Sequence, residues 1–335
     1  GSMLAVKPEN GDGDMTFSRN SAATRVNAQG LVENVQILSS NLVSNGNFSQ
    51  EGVEQVTNGN FATDTDWILG GSGLNTATIG SNSATITSVD GNSYIQQNSV
   101  LTSGKSYKIS YEILSSSGSS VLKMIIDNQY RTIPTAVGTH TVYGTATTTF
   151  LYIVSGTNGI NATITNISVI EVGQDWTLGT GWEIGEDKAI SDGTSGNLDQ
   201  TSTFTSGTTY KVVYTIENYV SGDIRFRFTG ASNENGTLRN ANGTYTEYIK
   251  LTNTQSVLRF IGSGVLSITN ISILEITNDT NLPRINYEGF SYDANGDIIP
   301  NSGCGSWLME GQSTNLITYS SDFSQWSGGN VSIES

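Results

Sequence analysis

Cysteine, histidine, proline and charge are all scarce in this sequence. One cysteine in 335 residues, Cys304, leaves no partner for a disulfide within the chain. A secreted eukaryotic scaffold of this length would ordinarily use disulfides. One histidine, His140, means that any Ser-His-Asp or Cys-His relay must run through it. It lies in a threonine-rich segment and reads as an ordinary strand residue, while Cys304, between two glycines, reads as a small packed residue. Glycosidase chemistry needs two carboxyls set across a cleft. Here the acids are scattered through turn-like stretches such as Asp64-Thr65-Asp66 and Glu186-Asp187. The expectation is a protein that is not an enzyme.

Charged residues make up 13% of the chain, about half the usual share. Lys and Arg number 15 against 30 Asp and Glu, a formal net charge of −15. Nucleic acid needs a basic face, and so does an anionic lipid surface, so the charge argues against both and neither is expected as a partner. No apolar run is long enough to span a bilayer, so no membrane insertion is expected. An acidic surface suits neutral polar ligands such as glycans, or Ca²⁺.

Glycine (38 residues), serine, threonine and asparagine fill the space that charge vacates, and Tyr (14) and Phe (10) recur within short Val/Ile/Thr-rich runs. This is the pattern of many short strands joined by turns. No stretch shows a 3.6-residue apolar stripe.

An internal repeat sets the architecture. TSGKSYKISYEI from Thr102 returns as TSGTTYKVVYTI from Thr205, GTHTVY from Gly138 as GTYTEY from Gly243, and ITNISVIEV from Ile164 as ITNISILEI from Ile268. The offsets, 103, 105 and 104, fit two homologous β-sandwiches of ~100 residues rather than a solenoid. Tyr107, Ile109, Tyr111 and Ile113 share one face of a strand, as do Tyr210, Val212, Tyr214 and Ile216. Ile224, Phe226 and Phe228 point inward, with Arg225 and Arg227 outward.

Two segments lie outside the repeats. The first is Phe17–Glu33, FSRNSAATRVNAQGLVE, with a turn at Asn27-Ala28-Gln29-Gly30. The second is Pro283–Leu316, with PRINY at its start, a turn at Asp293–Asp297, then Cys304 and EGQSTNL from Glu310. These segments resemble the two halves of a module common in phage tail and tail-fibre proteins. In that family the halves run almost directly together, and the Asp of its PRIDY is Asn286 here. The resemblance implies a virion or extracellular location, with other virion proteins and further copies of the chain as partners.

The repeats resemble galactose-binding-like, jelly-roll carbohydrate-binding modules, through the N-L-x-x-N-G-x-F…W opening at Asn41 and its echo VTNGNFATDTDW at Val56, and through the ITNIS closing strands. Many relatives hold a structural Ca²⁺ with an acid just after the opening Phe and an Asp in the closing strand. Those positions are Ser49 or Ala62, and Asn166 or Asn270, so weak or absent Ca²⁺ binding and no other cofactor are expected.

The fold class expected is all-β: two tandem antiparallel jelly-roll sandwiches inserted into a small split β module. The boundaries expected are 1–40 for the first half-module, 41–172 and 173–278 for the sandwiches, 279–314 for the second half-module, and 315–335 for the start of a further domain. The function expected is non-catalytic adhesion of a phage tail or tail-fibre protein to cell-surface or environmental polysaccharide. A structural spacer without ligand, or an accessory region of a polysaccharide-degrading enzyme, are the alternatives. Sugars stack on exposed aromatics beside planar polar groups. The wider set is Tyr94, Tyr130 and Tyr219 with Arg131. The ligand-binding residues expected are Trp182, Arg225, Arg227, Arg239, Tyr245 and Tyr248, all in the second sandwich. The first sandwich has Lys123 where the second has Arg227, and lysine lacks the planar fork that bridges two hydroxyls.

Overall fold

Period-two alternation becomes strand after strand in the computed structural model. It describes residues 24–26, 32–126, 129–278, 285–286, 291–292, 298–299 and 306–307. Cys304, the turns expected at Asn27–Gly30 and Asp293–Asp297, and the region 315–335 lie outside the described residues. Among the described residues there is no helix, and hence none that could cross a membrane. The chain is all-β, with two antiparallel jelly-roll sandwiches.

Contacts divide it into two compact units, residues 1–38 with 276–335, and residues 39–275. In the first unit, β1 (Thr24–Val26) pairs with β2 (Val32–Asn34), and β3 is Ile37–Leu38.

In the second unit the first sandwich begins with β4 (Glu51–Glu54), β5 (Ile68–Gly70), β6 (Thr76–Gly80), β7 (Ser83–Ser88) and β8 (Tyr94–Asn98). It continues with β9 (Ser106–Gly118), β10 (Leu122–Ile125), β11 (Arg131–Ile133), β12 (Gly138–Thr145), β13 (Phe150–Ser155) and β14 (Ile160–Val172). Its sheets run β11-β10-β13-β8-β5 and β12-β9-β14-β7-β6, with β4 on the end of β14.

The second sandwich has β15 (Thr177–Leu178), β16 (Trp182–Gly185), β17 (Lys188–Asp192), β18 (Asn197–Phe204) and β19 (Thr209–Ser221). Then come β20 (Ile224–Gly230), β21 (Asn233–Asn235), β22 (Gly243–Lys250), β23 (Gln255–Gly262) and β24 (Val265–Asn278). Its sheet orders, β21-β20-β23-β18-β15 and β22-β19-β24-β17-β16, match the first sandwich strand for strand. The end of β24 pairs with β3, as β14 pairs with β4. Back in the first unit, β25 (Ile285–Asn286) pairs with β28 (Ser306–Trp307), and β26 (Ser291–Tyr292) with β27 (Ile298–Ile299). Strand β1 passes within 8 Å of β25, Cα to Cα.

The alternation read from the sequence sets the cores. Tyr107, Ile109, Tyr111 and Ile113 are buried in one, and Tyr210, Val212, Tyr214, Ile216, Phe226 and Phe228 in the other. Sheet stacking of this kind buries one face of every strand and leaves the other wet.

The opening segments distribute differently from the boundary expected at 41. Val56, Phe61 and Trp67 lie in the first core. Val43 and Phe48 lie in the second, against Trp176. Residues 39–49 are therefore the opening of the second sandwich, and the first sandwich sits inside it in sequence. The local chemistry is repeated. Asn45 and Asn58 take φ of 47° and 55°, and Phe48 and Phe61 φ of 57° and 53°. The Gly46 carbonyl accepts from Ile271 N–H at 2.8 Å, and Gly59 from Ile167 at 2.9 Å. A Cβ on Gly46 would lie 2.0 Å from the Ile271 oxygen, so only glycine lets the turn dock there. Both Ile donors follow an Asn at positive φ, Asn270 or Asn166, at a register shift in the closing strand.

Candidate carbohydrate-binding face

The outward face of β11-β10-β13-β8-β5 carries the densest set of accessible rings and amides in the first sandwich. Alternation puts Tyr94, Gln96 and Asn98 of β8 and Phe150 and Tyr152 of β13 on this side, with Leu151, Ile153 and Ile95 on the other. Register sets Tyr152 opposite Gln96 and Phe150 opposite Asn98, while β10 brings Ile125 beside Tyr152. Such cross-strand neighbours interact directly. The Tyr94 and Tyr152 rings lie 4.7 Å apart at 33°, and Phe150 meets Tyr152 edge-on at 6.4 Å.

Gly70 explains why Tyr94 lies down on the sheet. It faces Tyr94 across β5 and β8, and a Cβ there would fall 2.0 Å from the ring. Beyond Tyr152, Tyr130 is 61% exposed, with the Lys123 Nζ 5.9 Å from its centroid. Burial, then the neighbouring Tyr130 and Tyr94 hydroxyls, push Tyr152 up to about 12, so its phenol stays a neutral donor at ordinary pH.

The opposite end of the face is polar. Gln96 Nε2 donates to Asn98 Oδ1 at 2.6 Å. Asn98 and Ile68 border a pocket of about 290 Å³ that also touches Gln55, Thr57 and Asp66. Rings for the C–H faces of a sugar and amides for its hydroxyls therefore follow one another along a rigid sheet.

The same positions in the second sandwich hold an ionic ladder. In register with Gln97 and Gln200, Asp199, Arg259 and Arg227 replace Gln96, Tyr152 and Ile125. Asn197 replaces Tyr94, Val257 replaces Phe150, and it is Arg225, not Arg227, that stands where the first sandwich has Lys123. Arg259 grips Asp199 through Nε and Nη2 at 2.8 and 2.6 Å, and Arg227 Nε donates to Asn235 at 2.7 Å.

The six residues expected from the sequence do not form one site. Trp182 is corrected from platform to core: it is 6% exposed and its indole N–H donates to the Gly196 carbonyl at 3.2 Å. The small neighbours Gly179 and Gly181 give room for a tight turn, not for an open ring. Arg225 and Arg227 lie on the outward face of β20, in the ladder's sheet. Arg239 and Tyr245 come together, guanidinium over ring at 4.6 Å, with Arg239 also bound to Glu247 at 3.2 Å. Tyr248, three residues on along β22, faces the other way and is 47% exposed. Arg239 bridges to Ile224 of β20, but its side chain shares the inward side with Ile224 and reaches Tyr245 and Glu247 of β22, whereas Arg225 and Arg227 point outward, so the two groups do not converge.

Phe150, Tyr152 and Gln96 are not among the residues expected from the sequence. Their signal was alternation: FLYIVS and YIQQN each put rings or amides on every second residue. Which outward rows meet depends on strand order, which a single strand does not reveal.

The residues at the Ca²⁺ positions do not fit that ion. Ser49 and Ala62 carry no carboxylate, and their N–H groups are capped by Asn47 and Asn60 side chains. Asn166 donates its amide to Glu112 at 2.8 Å. Among the described residues no cluster of His, Cys, Asp and Glu is arranged to hold a metal.

No family model matches the sequence, and no curated protein matches it. Among solved structures, the N-terminal CBM22-1-CBM22-2 tandem domain of Paenibacillus barcinonensis Xyn10C is similar at 12% identity, covering 68% of this chain and 98% of that one, with a TM-score of 0.31. The likeness is too loose to carry function across.

Proposed function

We propose that this chain is a non-catalytic adhesion protein of a phage virion, part of a tail or tail fibre, that holds cell-surface or environmental polysaccharide on its jelly-roll sandwiches. The observation that carries the binding half is the row Tyr94, Tyr152 and Phe150 with Gln96 and Asn98 on one exposed sheet face. Stacking and hydroxyl bonding on such a face are individually weak, and a multimeric fibre multiplies them through effective concentration. The virion half rests on the tail-module resemblance of Phe17–Glu33 and Pro283–Leu316. Binding without catalysis suits the surroundings of the chain's one histidine, since His140 donates to the Ala136 carbonyl at 2.6 Å and lies 5.5 Å from the Tyr111 ring.

The test is retention on bacterial surface polysaccharides, first by array and then by affinity electrophoresis. Tyr94→Ala and Tyr152→Ala should each lower retention at least several-fold while leaving the fold intact. A parent protein that no polysaccharide retains would overturn the binding reading. Absence of the protein from purified virions would overturn its location.

A further inference from the structure

The two sandwiches differ at the seam where their sheets meet beside β12 or β22. In the second, the seam is sealed. Ile224 and Arg239 exchange backbone hydrogen bonds at 2.9 and 2.7 Å. Glu247 then takes the Arg239 guanidinium at 3.2 Å, the Tyr214 hydroxyl at 3.1 Å and the Thr237 N–H at 2.8 Å. In the first, His140 lies against Tyr111 as Tyr245 lies against Tyr214, at 5.5 and 5.7 Å. That equivalence puts Val142 at the Glu247 position. Valine reaches no guanidinium, and the seam stays open.

A cavity of about 430 Å³ occupies the gap. Met124, Ile126, Ile133 and Val142 form its inner wall. The β16–β17 hairpin of the second sandwich supplies the outer wall with Ile184 and Ile190, and Tyr143 stands between. Arg131, Thr132, Thr141, Glu183 and Glu186 line the rest. The volume suits a small ligand, and cavities between domains are common places for one. Apolar and polar groups are balanced, which fits an amphiphilic guest rather than a hydrocarbon. Carboxylates accept from hydroxyls, and hydroxyls and a guanidinium donate to ring oxygens or an acetamide. Resting on the glycan-binding reading above, we propose that this cavity takes one terminal or branch sugar that bears a methyl group, a deoxyhexose or an N-acetylhexosamine. The methyl sits against the isoleucines, and the hydroxyls meet Glu183, Glu186 and the threonines. The long face then holds the chain of a polysaccharide while the cavity reads its decoration.

Methyl-labelled Ile, Val and Met in the whole chain provide reporters in both places, titrated with the methyl glycosides of fucose, N-acetylglucosamine and glucose. Ile126, Val142, Ile184 and Ile190 signals should shift with the first two and at least several-fold less with glucose. Glu183→Gln, on the exposed hairpin, should weaken that response several-fold with unchanged far-ultraviolet circular dichroism. Val142→Phe, which fills the cavity, should abolish it. Cavity signals that stay still with all three sugars overturn this proposal, whatever the retention assay gives for the face. So do shifts confined to Ile68 and Val154 beside the aromatic rows. Equal responses to fucose and glucose overturn the methyl preference.

Discussion

Trp176 donates its indole N–H to the carbonyl oxygen of Asn45, 3.0 Å away and 131 residues earlier in the chain. In the first sandwich Trp67 makes the same bond to Asn58 at 3.0 Å, nine residues earlier. The contact is one structural element; only the chain between its halves differs. Gln200 completes the second copy by holding both backbone groups of Ser44, at 2.9 and 2.8 Å, as Gln97 holds Thr57. The second sandwich therefore cannot close until residues 41–49 return to it.

Phe48 and Phe61 separate the two cores experimentally. Each is 1% exposed and lies beside its own tryptophan, at 5.2 and 5.0 Å. Phe48→Ala is expected to cost ~3–5 kcal/mol, as buried aromatic truncations do. Hydrogen exchange should show protection falling in β15–β24 and holding in β5–β14. Phe61→Ala should give the reverse pattern. Loss of protection in β5–β14 on Phe48→Ala would contradict the assignment of that segment.

How much of this was readable follows from which interactions are local. The 103 to 105 residue repeat and the two-residue alternation of Tyr107–Ile113 are properties of the sequence alone, and they delivered the fold class and the inward faces. The ownership of Asn41–Ser49 was not readable. Its motif is the same as that of Val56–Trp67, and only a long-range bond such as Asn41 Oδ1 to the Ile273 N–H decides which core receives it. The aromatic face was half visible. Tyr94 and Tyr130 stood out as candidates, but Phe150 and Tyr152 join them only because β13 lies between β8 and β10. Trp182 misled because a glycine-flanked tryptophan reads as exposed, whereas Gly181 takes φ of 82° and turns the indole inward.

Trp182→Ala should thus behave as a core mutation. Loss of the buried indole is expected to destabilise the second sandwich by ~3–5 kcal/mol. Below the new melting temperature, polysaccharide retention should be unchanged, because the rings of the candidate face lie in the first sandwich. Calorimetry and retention on the same sample distinguish this from a platform role, in which stability would hold and retention would fall.

Alkaline titration reports on the candidate face. A phenol has an ordinary value of 10.0, and Tyr152 is pushed up to about 12 in the folded chain, by burial first. Between those values the unfolded chain releases its proton while the folded chain keeps it. Stability from this group is complete below about pH 10 and declines as pH rises toward 12. Tyr152→Phe should flatten that decline and remove one late step from the ultraviolet titration of ionised phenols. Loss of a step near the ordinary value of 10.0, in place of a late one, would put Tyr152 in a more solvated setting than this one.

The nested order of the sandwiches makes a sharper demand. If the first is an insert, its two ends must lie close together, and side chains on both sides say that they do. Asn45 Nδ2 donates to the Gln174 carbonyl at 3.1 Å, while Asn45 Oδ1 accepts from Gln50 N–H at 3.1 Å. A Cβ on Gly52 would lie 3.0 Å from Gln174 Nε2. Residues on either side of the insert thus stand within hydrogen-bond reach, the geometry in which domain insertion is tolerated. Replacing residues 51–171 with a short Gly-Ser linker, which keeps Val172 in the second core, should leave the second sandwich folded. Closing a loop that short costs no more entropy than closing the native one, so no stability should be lost on that account. Contacts between the sandwiches would be lost, Tyr143 against the second core among them, and a modest drop in melting temperature is expected from that source. Trp176 fluorescence and a cooperative thermal transition would report the folded product. A molten or unfolded product would mean that the first sandwich is needed to build the second, and the nesting would then be one of sequence but not of folding.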